Sequence, residues 1–223
     1  MKTKLINLFA ITAIIAATAS CKGEKKNESE ATAAEEVVEA PAEAITYAVD
    51  TEASTIEWTG KKPTGEHTGT ISISEGKVKA QEGEIQSGSF VIDMTSINVT
   101  DLEGDDKAGL EGHLKGEGEG KEDHFFNVAK FPTASFEVTG ISEKDGKSMV
   151  EGNLTIKGIK KNISFPASTS VEGDTMTLTS EVFTINRTEW GVNYGSKSVF
   201  ENLGDKFIND DIELKVSLKA NKA

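Results

Sequence analysis

The sequence predicts an all-β domain of short antiparallel strands, and three observations carry that prediction. From Ile45 onward apolar and polar residues alternate with a period of two, turn-forming residues punctuate the alternation, and no amphipathic helical stretches intervene between the runs. Strands spaced in this way, without crossover helices, argue an antiparallel sandwich or barrel.

The elements follow in chain order. Ile56 and Trp58 alternate with Thr55, Glu57 and Thr59, and Ile71 and Ile73 with Thr70, Ser72 and Ser74. Phe90, Ile92 and Met94 repeat the pattern, then Phe136 with Val138, then Val150, Leu154 and Ile156, then Ile163 with Phe165. The chain closes on Ile212, Leu214, Val216 and Leu218, which alternate with Glu213, Lys215, Ser217 and Lys219 as a strand with one buried face does. Glu75-Gly76, Asp145-Gly146 and Glu172-Gly173-Asp174 tolerate positive φ, so hairpins are expected there. The apolar parity changes between Met176-Leu178 and Phe183-Ile185, which predicts a bulge or corner. Residues 101–127 are polar and glycine-rich and predict a loop excursion with at most short helical turns. Period alone does not separate a sandwich from a barrel of about eight strands.

The N-terminus reads differently. Lys2 and Lys4 precede an apolar run from Leu5 to Ala19, too short to span a bilayer and typical of a secretory signal. Thr18, Ala19 and Ser20 stand before Cys21, the one cysteine, and resemble a bacterial lipobox with threonine where leucine is usual. The expectation is a lipoprotein signal peptide over 1–20 and an acylated Cys21 anchoring the protein to a membrane; several acyl chains hold far more firmly than one. A lone cysteine makes no intramolecular disulfide, so stability must come from the core. Residues 21–44, rich in Glu and Ala with no aromatic residue, predict a lipid-anchored flexible linker whose extended reach is about 75 Å; residues 45–223 form the folded domain. The net charge is −13, and with the signal and the linker set aside about −11 remains on residues 45–223, which disfavours a nucleic-acid partner.

Enzymatic constellations are thin. Gly116 to Lys121, GEGEGK, lacks the Ser or Thr that follows the lysine of a phosphate loop. His67, His113 and His124 show no metal-ligand spacing; His113 and His124 are read as hydrogen-bonding residues that hold the excursion to the barrel, and His67 as a strand-edge residue. No serine lies in a nucleophile elbow and the one cysteine is assigned to the anchor, so covalent catalysis has no visible player. The chain is read as a non-enzyme without metal or cofactor, with metal-assisted hydrolysis as a minor alternative. Arg187, the only arginine, is read either as a clamp across the barrel end or as the partner of a polar ligand headgroup.

One ordered set of motifs adds to this. His113-Leu114, then Asp123, Phe125-Phe126 and Val128, then Phe131-Pro132 and Phe136, resemble a signature of the YceI-like family. Val150 to Lys161, with Gly152, Leu154-Thr155 and Gly158, and Asn186-Arg187 with Trp190-Gly191, are similar to two further stretches of that family. The resemblance covers roughly residues 47 to 220. It departs in two places: Leu110-Glu111-Gly112 stands where many relatives have an Arg-Asp pair, and Gly116 to Lys121 lengthens the following loop.

The resemblance implies a lipocalin-like antiparallel β-barrel of about eight strands with a long loop or short-helix excursion, exported, with an elongated apolar interior that in some relatives takes a long polyisoprenoid-type chain. Phe125, Phe126, Phe131 and Phe136 would then seal or line one end, or else be ordinary core. Trp58, Phe90, Ile92, Leu154, Ile156, Phe165 and Phe183 are candidate lining residues because they occupy apolar strand phases, and His113 and Arg187 candidate mouth residues. The expected function is a membrane-anchored carrier of an isoprenoid, isoprenoid quinone or fatty-acid derivative, located at the outer membrane and facing the periplasm. The alternative is a cell-envelope stress-protection or interaction scaffold without a bound lipid.

Overall fold

A computed structural model describes residues 27–223; the stretch expected to be a signal peptide, residues 1–20, and Cys21 lie outside the described residues. The strands are β1 (Thr32–Ala33), β2 (Ile45–Val49), β3 (Thr55–Lys62), β4 (Gly65–Gln81), β5 (Glu84–Val99), β6 (Thr133–Lys144), β7 (Lys147–Ile156), β8 (Ile159–Glu172), β9 (Thr175–Ser180), β10 (Phe183–Asn186) and β11 (Asp211–Lys222), with one helix, α1 (Gly104–Lys115), between β5 and β6.

Eight of these strands close a ring. β3 to β9 without β2 pair consecutively from β3 through β8 to β9, β9 pairs with β11, and β11 returns to β3, every pairing antiparallel. Closure removes the open edges of a sheet, and the open question of sandwich or barrel is settled as a barrel. Two staves are broken. β2 and β3 share the gap between β4 and β11, and β9 and β10 pair with different halves of β11. The parity slip read in the sequence is this second break: Glu181-Val182 separates β9 from β10, and the Val216 N–H donates to Ser180 Oγ instead of to a strand carbonyl, at 2.8 Å.

Hairpins form at Asp145-Gly146 and Gly173-Asp174, but not at Glu75-Gly76. Gly76 lies inside β4 beside a register shift, where a Cβ would come within 2.8 Å of the Phe90 ring. The glycine there makes room for an aromatic ring and does not make a turn. The excursion is also more ordered than expected, because α1 is a twelve-residue helix. Its apolar signal is only Leu110 and Leu114, one turn apart. Asp105 and Asp106 sit at its N-terminus, where the helix dipole favours negative charge, and Gly116 closes it at φ 80°.

Part of the segment expected to be a free linker is built into the wall. β8 pairs with β9 only over Ala167–Glu172 and does not pair with β10, so its first half leaves a seam in the wall. Residues 27–35 fill it. On one side Ser29 N donates to Thr184 O at 2.8 Å; on the other Ser29 Oγ donates to Ser164 O at 2.7 Å, and β1 pairs with Asn162 and Lys161 of β8. The strap then crosses the outside of β7, where buried Asn153 donates to Glu35 O and accepts from Glu35 N.

A chain beginning at residue 37 leaves the donors and acceptors of Ser164, Thr184 and Asn153 without these partners. We expect its urea midpoint to drop, with a loss of about 2 to 4 kcal/mol relative to a chain beginning at residue 27. An unchanged midpoint would show the strap to be a passive passenger.

Candidate functional site: an apolar cup at one end of the barrel

The barrel interior is uneven. Toward the end that carries the β3–β4 and β7–β8 hairpins and α1, a cavity of about 310 Å³ opens. Its walls are Ile56 and Trp58 of β3, Ile92, Met94 and Ile97 of β5, Leu154 and Ile156 of β7, Ile185 of β10, and Ile212 and Leu214 of β11. Leu110, Leu114, Phe125 and Phe126 roof it, while Lys61, Lys62, His67 and Asn209 supply polar rim atoms. The Trp58 indole Nε1 is buried with no hydrogen-bond partner among the described residues.

The roof is assembled by the residues of the Phe-Phe motif. Phe126 N donates to Leu114 O at 3.1 Å and Val128 N to Lys115 O at 2.9 Å, hanging the loop from the end of α1. Asp123 accepts from Asn127 Nδ2 at 2.9 Å, and this bond, with Lys157 nearby, holds its carboxyl below its ordinary range. The helix is tied to the barrel by Glu111, which accepts from Val99 N at 2.8 Å, and by Lys107, whose Nζ donates to Asn98 Oδ1 and Val99 O. Glu111, at the position of the departure from the Arg-Asp pair, thus anchors the helix that carries part of the roof; the Val99 N–H holds its carboxyl low.

Beside the roof stands a cluster of rings. His113 Nε2 and His124 Nδ1 lie 2.8 Å apart, so one ring donates and the other accepts. Tyr194 stacks on His124 at 4.2 Å, and His113 meets Phe125 edge-on at 5.1 Å. Burial, with His124 and Lys121 adding to it, pushes His113 below its ordinary value. His67 is apart from this cluster, on β4, bonded to Asp101 at 2.8 Å. Among the described residues no three His, Cys, Asp or Glu side chains converge to hold a metal.

Arg187 touches the cavity but its hydrogens go elsewhere. It is 2 % exposed, and Nε, Nη1 and Nη2 donate to the carbonyls of Asn209, Val192 and Ile208, with Asp210 at 3.7 Å. It therefore clamps the loop between β10 and β11 to the barrel end. Asn186 Oδ1 starts that loop by accepting from Thr188 N, and Trp190, fully buried, donates to Leu154 O at 3.0 Å.

Of the candidate lining residues, Trp58, Ile92, Phe125, Phe126, Leu154 and Ile156 face the cavity, and His113 and Arg187 border it. Phe90, Phe136, Phe165 and Phe183 do not. They pack against one another beneath it, with centroids 6.4, 5.6 and 4.4 Å apart in that order. Phe131 lies outside, near Gly158 and under Lys130. Met94, Ile97, Leu110, Leu114, Ile185, Ile212 and Leu214 were missed as lining. The alternation marks their strand faces, but only closure of the ring tells which height along a strand is filled and which is empty.

Fold and site together define a small antiparallel β-barrel whose closed interior opens at one end as an apolar cup. The YceI-like domain pattern matches residues 47–220, and the chain belongs to that family. A protein called YceI from Salmonella arizonae is 38 % identical over 50 residues, which is 22 % of this chain and spans only 26 % of that relative. Among solved structures, BcnA of Burkholderia cenocepacia superposes with a TM-score of 0.61 at 24 % identity, covering 78 % of this chain and 99 % of the other. A polyisoprenoid-binding domain from Saccharophagus degradans superposes with a TM-score of 0.56 at 14 % identity, covering 80 % and 99 %. Both likenesses are likenesses of fold.

The unfolded chain protonates a histidine near pH 6.5, whereas folded His113 takes the proton only at lower pH. Stability must then fall as the pH drops through about 6.5, and the loss ends once folded His113 is protonated. Urea midpoints between pH 7.5 and 5 should decline more steeply for the native protein than for His113→Gln; parallel slopes would contradict the assignment. Arg187→Lys replaces a three-way fork by a single ammonium and should lower stability by about 2 to 4 kcal/mol in the same assay.

Proposed function

We propose that this protein is a binding protein, not a catalyst, that houses the hydrocarbon part of a lipid in the cup. The observation that carries the reading is the composition of the wall, which is built almost wholly from Ile, Leu, Met, Trp and Phe with polar groups confined to the rim. Such a wall rewards an apolar guest at about 25 cal/mol per Å² removed from water and offers no orientation to a small polar one. The guests that suit it are isoprenoid, isoprenoid quinone or fatty-acid derivatives, with the head at the rim beside Lys61, Lys62 and His67. The likeness in fold to the polyisoprenoid-binding domain from Saccharophagus degradans supports this class of ligand.

The same proposal holds the protein in the cell envelope, through an acylated Cys21 at the outer membrane and facing the periplasm. Its support is the Lys2 and Lys4 start, the apolar run to Ala19 and the small residues before Cys21. No helix among the described residues is long and apolar enough to cross a membrane. Asn27, the first of the described residues, is bonded into the seam, and six residue steps separate it from Cys21, so a tether ending there reaches at most about 20 Å, well short of the reach expected of a free linker.

Mass spectrometry of the intact protein from its native membrane tests both parts. Under native conditions a noncovalent mass should accompany the chain, vanish on denaturation and be absent from Ile212→Asp, which puts a carboxylate in the wall. Acyl mass should persist on the denatured chain and disappear in Cys21→Ser. A chain that carries no extra mass under native conditions would turn the reading toward the interaction scaffold.

A further inference from the structure

We propose that the four phenylalanines beneath the cup form a floor that measures its ligand, admitting a hydrocarbon segment of about ten carbons and leaving the rest of any longer chain outside the mouth. This rests on the reading that the cup takes an apolar guest, and adds to it the length of the guest that is enclosed.

The floor crosses the barrel from β5 to β10. Phe90, Phe136, Phe165 and Phe183 touch in sequence and are 9, 9, 5 and 2 % exposed. Three of them stand two residues from a wall residue of the cup: Phe90 from Ile92, Phe136 from Ala134, Phe183 from Ile185. Two residues along a strand keep the same face and advance about 6.6 Å. The cup therefore ends within one such step. Below the floor Val78, Ala80, Val138 and Met176 are all buried and none borders the cavity, so this half of the barrel is filled.

The neighbouring strands are cut away to let the rings lie flat. A Cβ on Gly152 of β7 would meet Phe136 Cζ at 2.3 Å, and one on Gly76 of β4 would meet Phe90 Cδ1 at 2.8 Å. Larger residues there would drive the rings upward into the cup. The volume of about 310 Å³, at roughly 30 Å³ for a water-sized group, holds about ten methylene-sized groups.

Linear alcohols of six to sixteen carbons, displacing a fluorescent apolar dye from the full-length protein, measure this. Affinity should rise about fourfold per methylene, as apolar burial dictates, up to about ten carbons and then level off. Phe136→Ala should move the break to longer chains by about three carbons. Ala134→Leu, which adds three carbons into open space above the floor and does not disturb the packing below, should move it to shorter chains by a similar amount. Should Phe136→Ala fail to fold, Ala134→Leu decides alone. Affinity that keeps rising to sixteen carbons in the native protein, or breaks unmoved in the folded variants, overturns the measuring floor while the binding reading stands. A native protein that binds none of the alcohols ends the binding reading, and the floor with it.

Discussion

The constraint on which this structure turns is the width of an eight-stranded ring. Such a ring encloses a space that inward side chains just suffice to fill, so a cavity appears only where side-chain volume is distributed unevenly along the strands. Here the distribution is steep. Phenylalanines crowd the middle layer, and the strand positions toward the mouth carry mainly Ile, Leu and Met, with one tryptophan, Trp58, and one alanine, Ala134. Close packing below and an opening above are two consequences of one allocation of volume.

Seen from that constraint, the motif residues are mainly builders of the cup's boundaries. Gly152 gives Phe136 its place, Asn186 and Arg187 secure the loop after β10, and Trp190 plugs against the Leu154 carbonyl. Asp123 and Asn127 shape the loop that presents Phe125 and Phe126. The four phenylalanines of residues 125–136 divide among three places: Phe125 and Phe126 in the roof, Phe136 in the floor, Phe131 outside. A local concentration of aromatic rings in sequence is here the trace of a chain that descends from roof to floor within a dozen residues.

The seam follows from the broken stave. Where β9 gives way to β10, the edge of β8 that faces away from β7 has no ring strand to receive its backbone groups, and buried amides left unpaired are costly. Residues 27–35 answer that need from outside the ring. Ser29 bonds in both directions and Asn153 caps the crossing. The charged Glu and Ala composition that reads as linker does not oppose this, because the strap needs backbone hydrogen bonds and few buried side chains.

What the sequence by itself determined is the antiparallel β class, the positions of most strands, the corner after Ser180 and the apolar character of the inward face, since these depend on a period of two and on local turn chemistry. The family motifs in their order made the barrel legible as well. The tertiary structure alone decided which inward residues form wall and which form floor, because Phe136 and Ala134 share a face and differ only in height. It alone decided that Gly76 relieves a ring inside β4, that α1 forms on two leucines, and that residues 27–35 complete the wall. Each of these depends on contacts between segments far apart in the chain, and the volume a side chain meets across a closed barrel leaves no mark in its own neighbourhood of the sequence.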